Sequence, residues 1–398
     1  MIRKNNPPQR LQKRSAPMDV NLLMQSIENL TDRYVDFLCD ICSFEARARD
    51  KETLDAMLDH ITRFAHAEGF VTHRTPMVNC GDFLSVDMNE GAAKSCVFLA
   101  HTDTVHEKGV FGTPPVTRLE DRIIAPGVID CKGGIAIALL AMKALQEGGY
   151  PNHVRLLLTS DEEISNILGG AEEVQYFTDK CAGFPYAINC ETTETDEVVV
   201  SRKGICKYEM TICGKGGHSG IHYFDCKNAI EEAAHKILAL HSKSRPGGIT
   251  YSCNIIHAGT VENIIPERCT MRIDVRLPLR NDLAEVERTM EEVASTSFIG
   301  GTTATLKRIS HRPPMEKDAD TMALFRKLLG ICEKYDLGSL TPVESGGGSD
   351  SCYTQAAGVP SICGMGGSGE FCHTNKEYIT TASIPLRAKI LAAFLAEE

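Results

Sequence analysis

The sequence predicts an α/β fold in which helices cover both faces of a mainly parallel sheet, with a smaller α+β domain inserted into it. Short apolar segments at residues 96–100, 154–158 and 186–190 alternate with stretches of helical periodicity. Acidic or histidine residues follow each of these segments closely. Because the carboxyl ends of parallel strands meet at one sheet edge, where open α/β sheets bind ligands, these side chains are expected to converge there.

The larger domain is predicted to begin with amphipathic helices, since leucine and isoleucine recur at three- and four-residue intervals. Up to about residue 203 the order is then strand, helix, strand, as in a parallel sheet covered on both faces. The predicted helices span 20–44, 53–68, 133–146, 172–177, 319–335 and 384–396, and a short strand spans 359–363.

Between about residues 204 and 311 the pattern changes to β-α-β-β-α-β, the order of a ferredoxin-like unit. Its predicted strands span 205–213, 249–258, 268–277 and 302–309, and its helices span 226–241 and 283–297. We therefore predict three parts, with hinge segments at 202–204 and 312–314. They are a disordered basic tail (1–17), a discontinuous main domain (18–203 and 315–398) and an inserted domain (204–314).

Composition excludes several classes of function. The formal net charge of −11 argues against nucleic acid as a partner, because phosphate binding needs clustered lysines and arginines on a folded face. No apolar run approaches the roughly 20 residues of a membrane helix, and the basic tail lacks the apolar core of a targeting signal. The sixteen cysteines are predicted to be reduced, buried thiols of a cytoplasmic protein. The Cys39 and Cys42 pair fits a helix face better than a zinc site.

The side chains at the predicted sheet edge indicate a metal centre. Carboxylates and imidazoles gathered in one crevice would repel one another and resist desolvation unless cations neutralised them. Two cations about 3.5 to 4 Å apart can share a bridging carboxylate and polarise a scissile carbonyl. The residues concerned are His101, Asp103, Asp130, Glu162, Glu163, Glu191 and His373. They favour a two-metal hydrolase.

Eight short motifs occur in a fixed order along the chain. They lie at residues 101–105, 125–134, 159–163, 214–219, 263–266, 274–276 and 346–350, and at His373. In this order they resemble the di-zinc metallopeptidase family of glutamate carboxypeptidase, aminoacylase, acetylornithine deacetylase, succinyl-diaminopimelate desuccinylase and peptidase T. The likeness runs from about residue 20 to the last residue.

The resemblance implies a role for each residue of the edge. The implied metal ligands are His101 and Glu191 at one ion, Glu163 and His373 at the other, and Asp130 bridging both. Asp103, two residues after His101 on the same side of an extended strand, is placed to accept the remaining ring N–H of His101.

Glu162 resembles the family's general base, which takes a proton from the attacking water and passes it to the leaving amine. Its carboxylate has to be free of metal to do so. The neighbouring Asp161 is interpreted as an N-terminal capping group of the turn that follows.

The inserted domain resembles the family's lid and dimerisation domain. His218 matches a histidine that in relatives reaches into a neighbouring subunit's active site, which would make a homodimer necessary for catalysis. A histidine in a glycine-bordered hairpin turn is the structural alternative.

Substrate binding is implied at two further places. Asn263 and Arg276 resemble lid residues that bind substrate, and a guanidinium can hold a free carboxylate by two parallel hydrogen bonds. Gly347, Gly348 and Ser349 resemble a loop that offers backbone N–H groups to the acid end of the substrate, with a simple flexible loop as the alternative.

Together these features predict a cytoplasmic enzyme that cleaves a peptide or N-acyl amide next to a free carboxylate. Its cofactors would be two divalent ions, with zinc favoured over cobalt or manganese. A carboxypeptidase-like enzyme or dipeptidase is the leading description, and an N-acyl-amino-acid deacylase is the near alternative. A catalytically silent protein that binds metal or peptide is the remote one. Thr192 and Thr193 depart from the turn found in many relatives, so the pocket beside Glu191 is expected to differ.

Overall fold

The computed structural model describes residues 18–193 and 196–398, so the predicted basic tail lies outside the described residues. The helices, in chain order, are α1 (Val20–Cys42), α2 (Lys51–Ala67), α3 (Gly133–Glu147), α4 (Gly170–Cys181), α5 (Ala229–Lys243), α6 (Leu283–Ser295), α7 (Ala319–Tyr335), α8 (Ser351–Ala356) and α9 (Ser383–Ala396). The strands are β1 (Val71–Thr75), β2 (Phe83–Met88), β3 (Lys94–His101), β4 (Thr117–Arg118), β5 (Arg122–Ile124), β6 (His153–Thr159), β7 (Tyr186–Asn189), β8 (Glu197–Arg202), β9 (Gly204–Cys213), β10 (Gly217–His218), β11 (Thr250–Ala258), β12 (Ile264–Ile265), β13 (Arg268–Leu277), β14 (Thr303–Arg312), β15 (Thr341–Ser345), β16 (Ser361–Ile362), β17 (Gly369–Glu370) and β18 (Tyr378–Thr380).

The central sheet has the strand order β1-β2-β6-β3-β7-β16. Strands β6, β3, β7 and β16 run parallel, whereas β2 is antiparallel to both of its neighbours. Leu156 and Leu158 of β6 pack with α1, α3 and α9, while Leu157 between them packs with α4 and α8 on the opposite face. The predicted α/β class, with helices on both faces of the sheet, is confirmed.

Helix α3 is the centre of the larger core and leads directly out of the edge where ligands are expected. Its side chains are buried on all sides, as expected of an apolar helix enclosed by other elements. It packs between α1 and α9. Helix α1 begins at Asp19, whose carboxylate accepts hydrogen bonds from the N–H groups of Asn21 and Leu22.

Residues 204–312 form a second, antiparallel sheet in the order β11-β13-β9-β14. Helices α5 and α6 pack on it around a separate apolar core. Along the chain the order is β9-α5-β11-β13-α6-β14, the ferredoxin-like arrangement. The chain segments that enter and leave this unit lie side by side. There, Arg202 and Met315 exchange backbone hydrogen bonds of 2.9 and 3.0 Å. The domain boundaries themselves stay a prediction.

Several short elements were not predicted from the sequence, because segments this short carry little periodicity. Strand β8 pairs in parallel with β15, and β17, β18, β5 and β4 form a small sheet. Helix α4 is longer than the predicted 172–177, and just before it the Asp161 carboxylate accepts hydrogen bonds from the N–H groups of Leu168 and Gly169. Asp161 therefore stabilises the approach to α4 and makes no capping bond to the turn that directly follows it.

Among the described residues, none of the helices combines the length and the apolar character needed to cross a lipid bilayer.

Candidate active site

The structure brings the predicted metal-binding residues together at the carboxyl edge of the central sheet. Each is presented by the end of a strand or by a loop beside that edge. His101 ends β3, Asp130 lies in the turn before α3, Glu162 and Glu163 lie in a helical turn after β6, Glu191 follows β7, and His373 lies between β17 and β18.

Asp130 lies between two pairs of side chains. Its Oδ1 is 2.9 Å from Nε2 of His101, and its Oδ2 is 3.2 Å from Nε2 of His373. The same His101 nitrogen is 3.6 Å from Oε1 of Glu191, and the His373 nitrogen is 3.2 Å from Oε2 of Glu163. The carboxylate of Asp130 thus presents one oxygen to each histidine and glutamate pair, as a ligand shared by two ions would.

The electrostatics of this cluster fit the binding of cations. Burial and the neighbouring Asp130 carboxylate raise the pKa of Glu163 to about 8, and burial raises the pKa of Glu191 well above its ordinary value. Oε1 of Glu163 is buried and has no hydrogen-bond partner within the described part of the chain. Carboxylate and imidazole donors of this kind suit zinc and other first-row divalent ions. The residues therefore fit a divalent metal centre.

Hydrogen bonds distinguish Asp130 from the other acids of the cluster. Burial acts to raise the pKa of Asp130, but hydrogen bonds from His101 and His373 outweigh it and hold that pKa well below its ordinary value. The bond with Asp130 is also the main cause of a raised pKa of His373.

Asp103 connects the end of β3 to the turn that holds the two glutamates. Its carboxylate accepts hydrogen bonds from the N–H groups of Glu162 (3.2 Å) and Glu163 (3.1 Å). The same carboxylate lies 3.3 Å from Nδ1 of His101, and the Asp103 carbonyl oxygen lies 3.1 Å from that nitrogen. Asp103 is fully buried, so it fixes three candidate site residues relative to one another.

A second supporting pair, which sequence reasoning missed, lies behind Asp130. Oε1 of Glu377 accepts hydrogen bonds from the N–H groups of Ile129 (3.0 Å) and Asp130 (3.2 Å). Its Oε2 is 2.6 Å from Nε2 of His106. His106 directly follows the 101–105 motif but is not part of it, and from the sequence it is interpreted as an ordinary surface or core histidine. The position of Glu377, four residues after His373, is the one signal that could have indicated it.

Arg312 is a further residue of the candidate site, and sequence reasoning had assigned it to a hinge. The predicted hinge at 312–314 begins with this arginine, but its guanidinium is buried against Glu162. Its Nη1 donates to the Glu162 carboxylate. Its Nη2 donates to the Glu162 carbonyl oxygen at 3.0 Å and to the side-chain oxygen of Asn166. Arg312 thereby fixes the orientation of the residue expected to act as base.

A pocket of about 690 Å³ opens over the candidate metal ligands. Asp130, Glu162 and His373 line its floor, and Gly347 and Gly348 line one wall. The size is within the range of sites for small molecules.

Within the glycine loop beside this pocket, Gly348 is closely packed. A Cβ at Gly348 would lie 2.8 Å from Cδ of Arg312, so a larger residue would displace the arginine. Ser349 does not line the pocket, and its buried hydroxyl lies 2.9 Å from that of Ser351.

The three predicted residues of the inserted domain do not line the pocket in the described chain. Arg276 is held by Asp274 through bonds of 2.6 and 3.2 Å, and its Nη1 donates to the Gly346 carbonyl oxygen at 3.3 Å. His218 and Asn263 lie together at the β10–β12 pair, where the next residue after His218 donates to the Asn263 carbonyl oxygen.

We expect Gly134→Ala to disturb both the fold and the site. A Cβ at Gly134 in α3 would overlap the backbone carbonyl of Cys190, the residue before Glu191, and neither backbone can move freely. The free energy of unfolding should fall by at least about 2 kcal/mol, as overpacking in a core does. Chemical denaturation followed by circular dichroism measures it.

Gly330→Ala is the matched control for this substitution. Gly330 is an exposed residue of α7, where an added Cβ meets no atom within 4 Å, so the control should be unchanged or up to about 1 kcal/mol more stable. Equal unfolding free energies for the two variants would contradict the close approach of α3 to Cys190.

Residues 97–397 match the sequence model of the peptidase family M20/M25/M40. Carboxypeptidase G2 of Pseudomonas sp. (strain RS-16) is 25% identical over 383 residues, which cover 94% of this chain and 91% of the relative. A succinyl-diaminopimelate desuccinylase of Buchnera aphidicola is 31% identical over 219 residues, which cover 50% of this chain and 57% of the relative.

Solved structures show the same fold. Aminopeptidase PepT from Bacillus cereus superposes with a TM-score of 0.74 at 19% identity, covering 92% of this chain and 98% of that one. A metallo-carboxypeptidase from Sulfolobus solfataricus gives 0.72 at 15% identity, with 91% and 98% coverage.

Proposed function

The chain belongs to the peptidase family M20/M25/M40 and is a metal-dependent hydrolase, and from this premise we propose that it cleaves a peptide or N-acyl amide bond next to a free amino-acid carboxylate. The observation that carries the proposal is the position of Asp130, with one carboxylate oxygen facing each histidine and glutamate pair. We propose that His101, Asp130 and Glu191 hold one divalent ion, and that Asp130, Glu163 and His373 hold the other.

When bound, the ions would polarise the scissile carbonyl and make the attacking water more acidic. Zinc suits this mixed carboxylate and imidazole donor set best, and cobalt or manganese are the alternatives. Glu162 would take the proton of the attacking water and deliver it to the nitrogen of the leaving group. Because Arg312 binds Oε1 of Glu162, the other oxygen, Oε2, is the one that would carry the proton.

The acid end of the substrate is proposed to bind at the wall of the pocket formed by the glycine loop. Arg202 lines the pocket, and its Nη1 donates to the Gly348 carbonyl oxygen at 3.1 Å. Arg276 lies at the rim, next to Gly346. Two guanidinium groups near one loop favour a substrate carboxylate there, because an arginine binds a carboxylate through two parallel hydrogen bonds.

We propose a homodimer in which His218 and Asn263 act in the site of the partner subunit. Both lie away from the pocket of their own chain, in a part of the inserted domain that also exposes apolar side chains. Phe224 is 92% exposed and Ile221 is 71% exposed, and such residues are commonly covered at an interface. Analytical ultracentrifugation that finds only monomer under assay conditions would contradict this.

A cytoplasmic location is proposed from the cysteines. The structure has sixteen free cysteines and most are buried, which suits a reducing compartment.

A library of dipeptides and N-acyl amino acids, assayed with and without chelator, tests the proposed function. We expect release of free amino acids from dipeptides, loss of turnover with chelator, and recovery when divalent ions are returned. Release of acetate or succinate with no dipeptide cleavage would favour the deacylase, which the desuccinylase relative supports. Bound ions without turnover of any amide would indicate a silent binding protein.

A further inference from the structure

The thiol of Cys372, which the proposed mechanism does not use, lies among the proposed metal ligands. Sγ of Cys372 is 3.0 Å from Oδ2 of Asp130, the oxygen that faces His373. The donor atoms of Asp130, Cys372 and His373 all lie within 4.8 Å of one another, close enough for one ion to contact all three. The thiol is half-buried and directed at the cluster, so it is not an ordinary core cysteine.

We propose that Cys372 is a thiolate ligand of the ion held by Asp130, Glu163 and His373. This rests on the proposed function, because it requires that ion to bind. On binding, the thiol would lose its proton to solvent and the sulfur would take a position on the cation, replacing the hydrogen bond to Asp130. Cysteine sulfur is an established zinc ligand beside histidine nitrogen and carboxylate oxygen.

The extra ligand would give the two ions different sets of protein donors. With Cys372, the ion that Asp130 and His373 hold would gain a sulfur donor. The other ion would have protein donors from His101, Asp130 and Glu191 and would keep a position for water or substrate, as catalytic zinc sites do. The first ion would thus be held more tightly and would select thiophilic metals such as zinc or cadmium over manganese.

Cys131 offers a built-in comparison. Its sulfur also lies near a candidate ion, within 4.8 Å of donor atoms of His101 and Glu191. However, its thiol is fully buried and donates to the Cys190 carbonyl oxygen at 3.3 Å, so it already has a partner outside the cluster. Cys372, in contrast, has its hydrogen bond with a proposed metal ligand. We therefore assign the thiolate to Cys372 alone.

X-ray absorption of the zinc-loaded protein tests the assignment, together with the metal content of the same sample. The wild-type protein should show a zinc–sulfur distance of about 2.3 Å, apart from the shorter distances to nitrogen and oxygen. Cys372→Ser should lose this sulfur contribution and bind one of its two ions at least about tenfold more weakly, since even residues outside the ligand shell contribute that much. Cys131→Ser should keep both the sulfur contribution and the affinity.

Several results would overturn the assignment. Two bound ions without sulfur in the wild-type protein would do so, as would sulfur retained in Cys372→Ser or lost in Cys131→Ser. Failure to bind two ions at all would instead count against the proposed function.

A measurement on the wild-type chain does not depend on how the variants fold. Alkylation of Cys372 by iodoacetamide, followed by mass spectrometry, should slow at least about tenfold when the zinc-loaded protein is compared with the chelated one, because a coordinated sulfur is a poor nucleophile. An equal rate in both states would overturn the assignment.

Discussion

Glu162→Gln is expected to lower kcat by about 10²- to 10⁴-fold while the metal content stays the same. A glutamine amide has the shape of the carboxylate but cannot take the proton of the attacking water. Its oxygen can still accept the hydrogen bond from Arg312, which would keep a partner in the buried site. Glu162→Ala would leave that guanidinium without its carboxylate, a loss that costs about 3 to 5 kcal/mol for buried pairs. The Glu162→Gln variant therefore tests the catalytic role of Glu162 without the loss of stability expected of Glu162→Ala.

Two measurements check this expectation, the kcat on the best dipeptide and the metal content of the purified protein. Glu172→Gln is the matched control, because Glu172 is an exposed acid of α4 and should leave both quantities unchanged. A kcat near that of the wild type in Glu162→Gln would remove the proposed base. Loss of the ions would instead show that Glu162 is a ligand.

Asp130→Ala is expected to abolish turnover by a different route, through loss of both ions. Within the described residues, Asp130 is the one carboxylate that contacts both His101 and His373, so removing it leaves each proposed ion with fewer protein donors. In the wild-type protein, added zinc at about 100 times its Kd should raise the free energy of unfolding by about 2.7 kcal/mol. The variant should show no such rise, which thermal unfolding with and without zinc would measure.

The exposed Asp320 of α7 supplies the control for this experiment. Asp320→Ala removes an equal charge from an exposed position that is distant in sequence from Asp130. This variant should respond to zinc as the wild type does. An Asp130→Ala protein that still binds two ions and is stabilised by zinc would exclude Asp130 as the shared ligand.

The sequence predicted those parts of the structure that depend on order along the chain. The strand ends at His101 and Glu191 converge because parallel strands place their carboxyl ends on one edge, a rule that needs no side-chain detail. The helix over 133–146 was predicted within one residue of α3, since the segment is rich in alanine and leucine. The predicted fold class is confirmed, and the assignment of each site residue stays a proposal.

The parts that the sequence did not predict are contacts between distant residues. Arg312 meets Glu162 across 150 positions, and Glu377 meets Asp130 across 247. No local pattern encodes such a contact, because an Arg-Pro-Pro segment looks the same whether the arginine faces solvent or a buried acid. Arg202 was likewise predicted in a hinge, although it lines the pocket in the structure.

The two chain segments that connect the sheets each contribute an arginine to the candidate site: Arg202 beside the glycine loop and Arg312 on the proposed base. The ferredoxin-like unit therefore cannot be exchanged for that of a relative without regard to these two arginines. Consider a chimera in which this unit comes from a relative and the exchanged segment includes positions 202 and 312. Such a chimera would lose Arg312, which binds Glu162. Productive exchange requires junctions that retain both arginines from this chain.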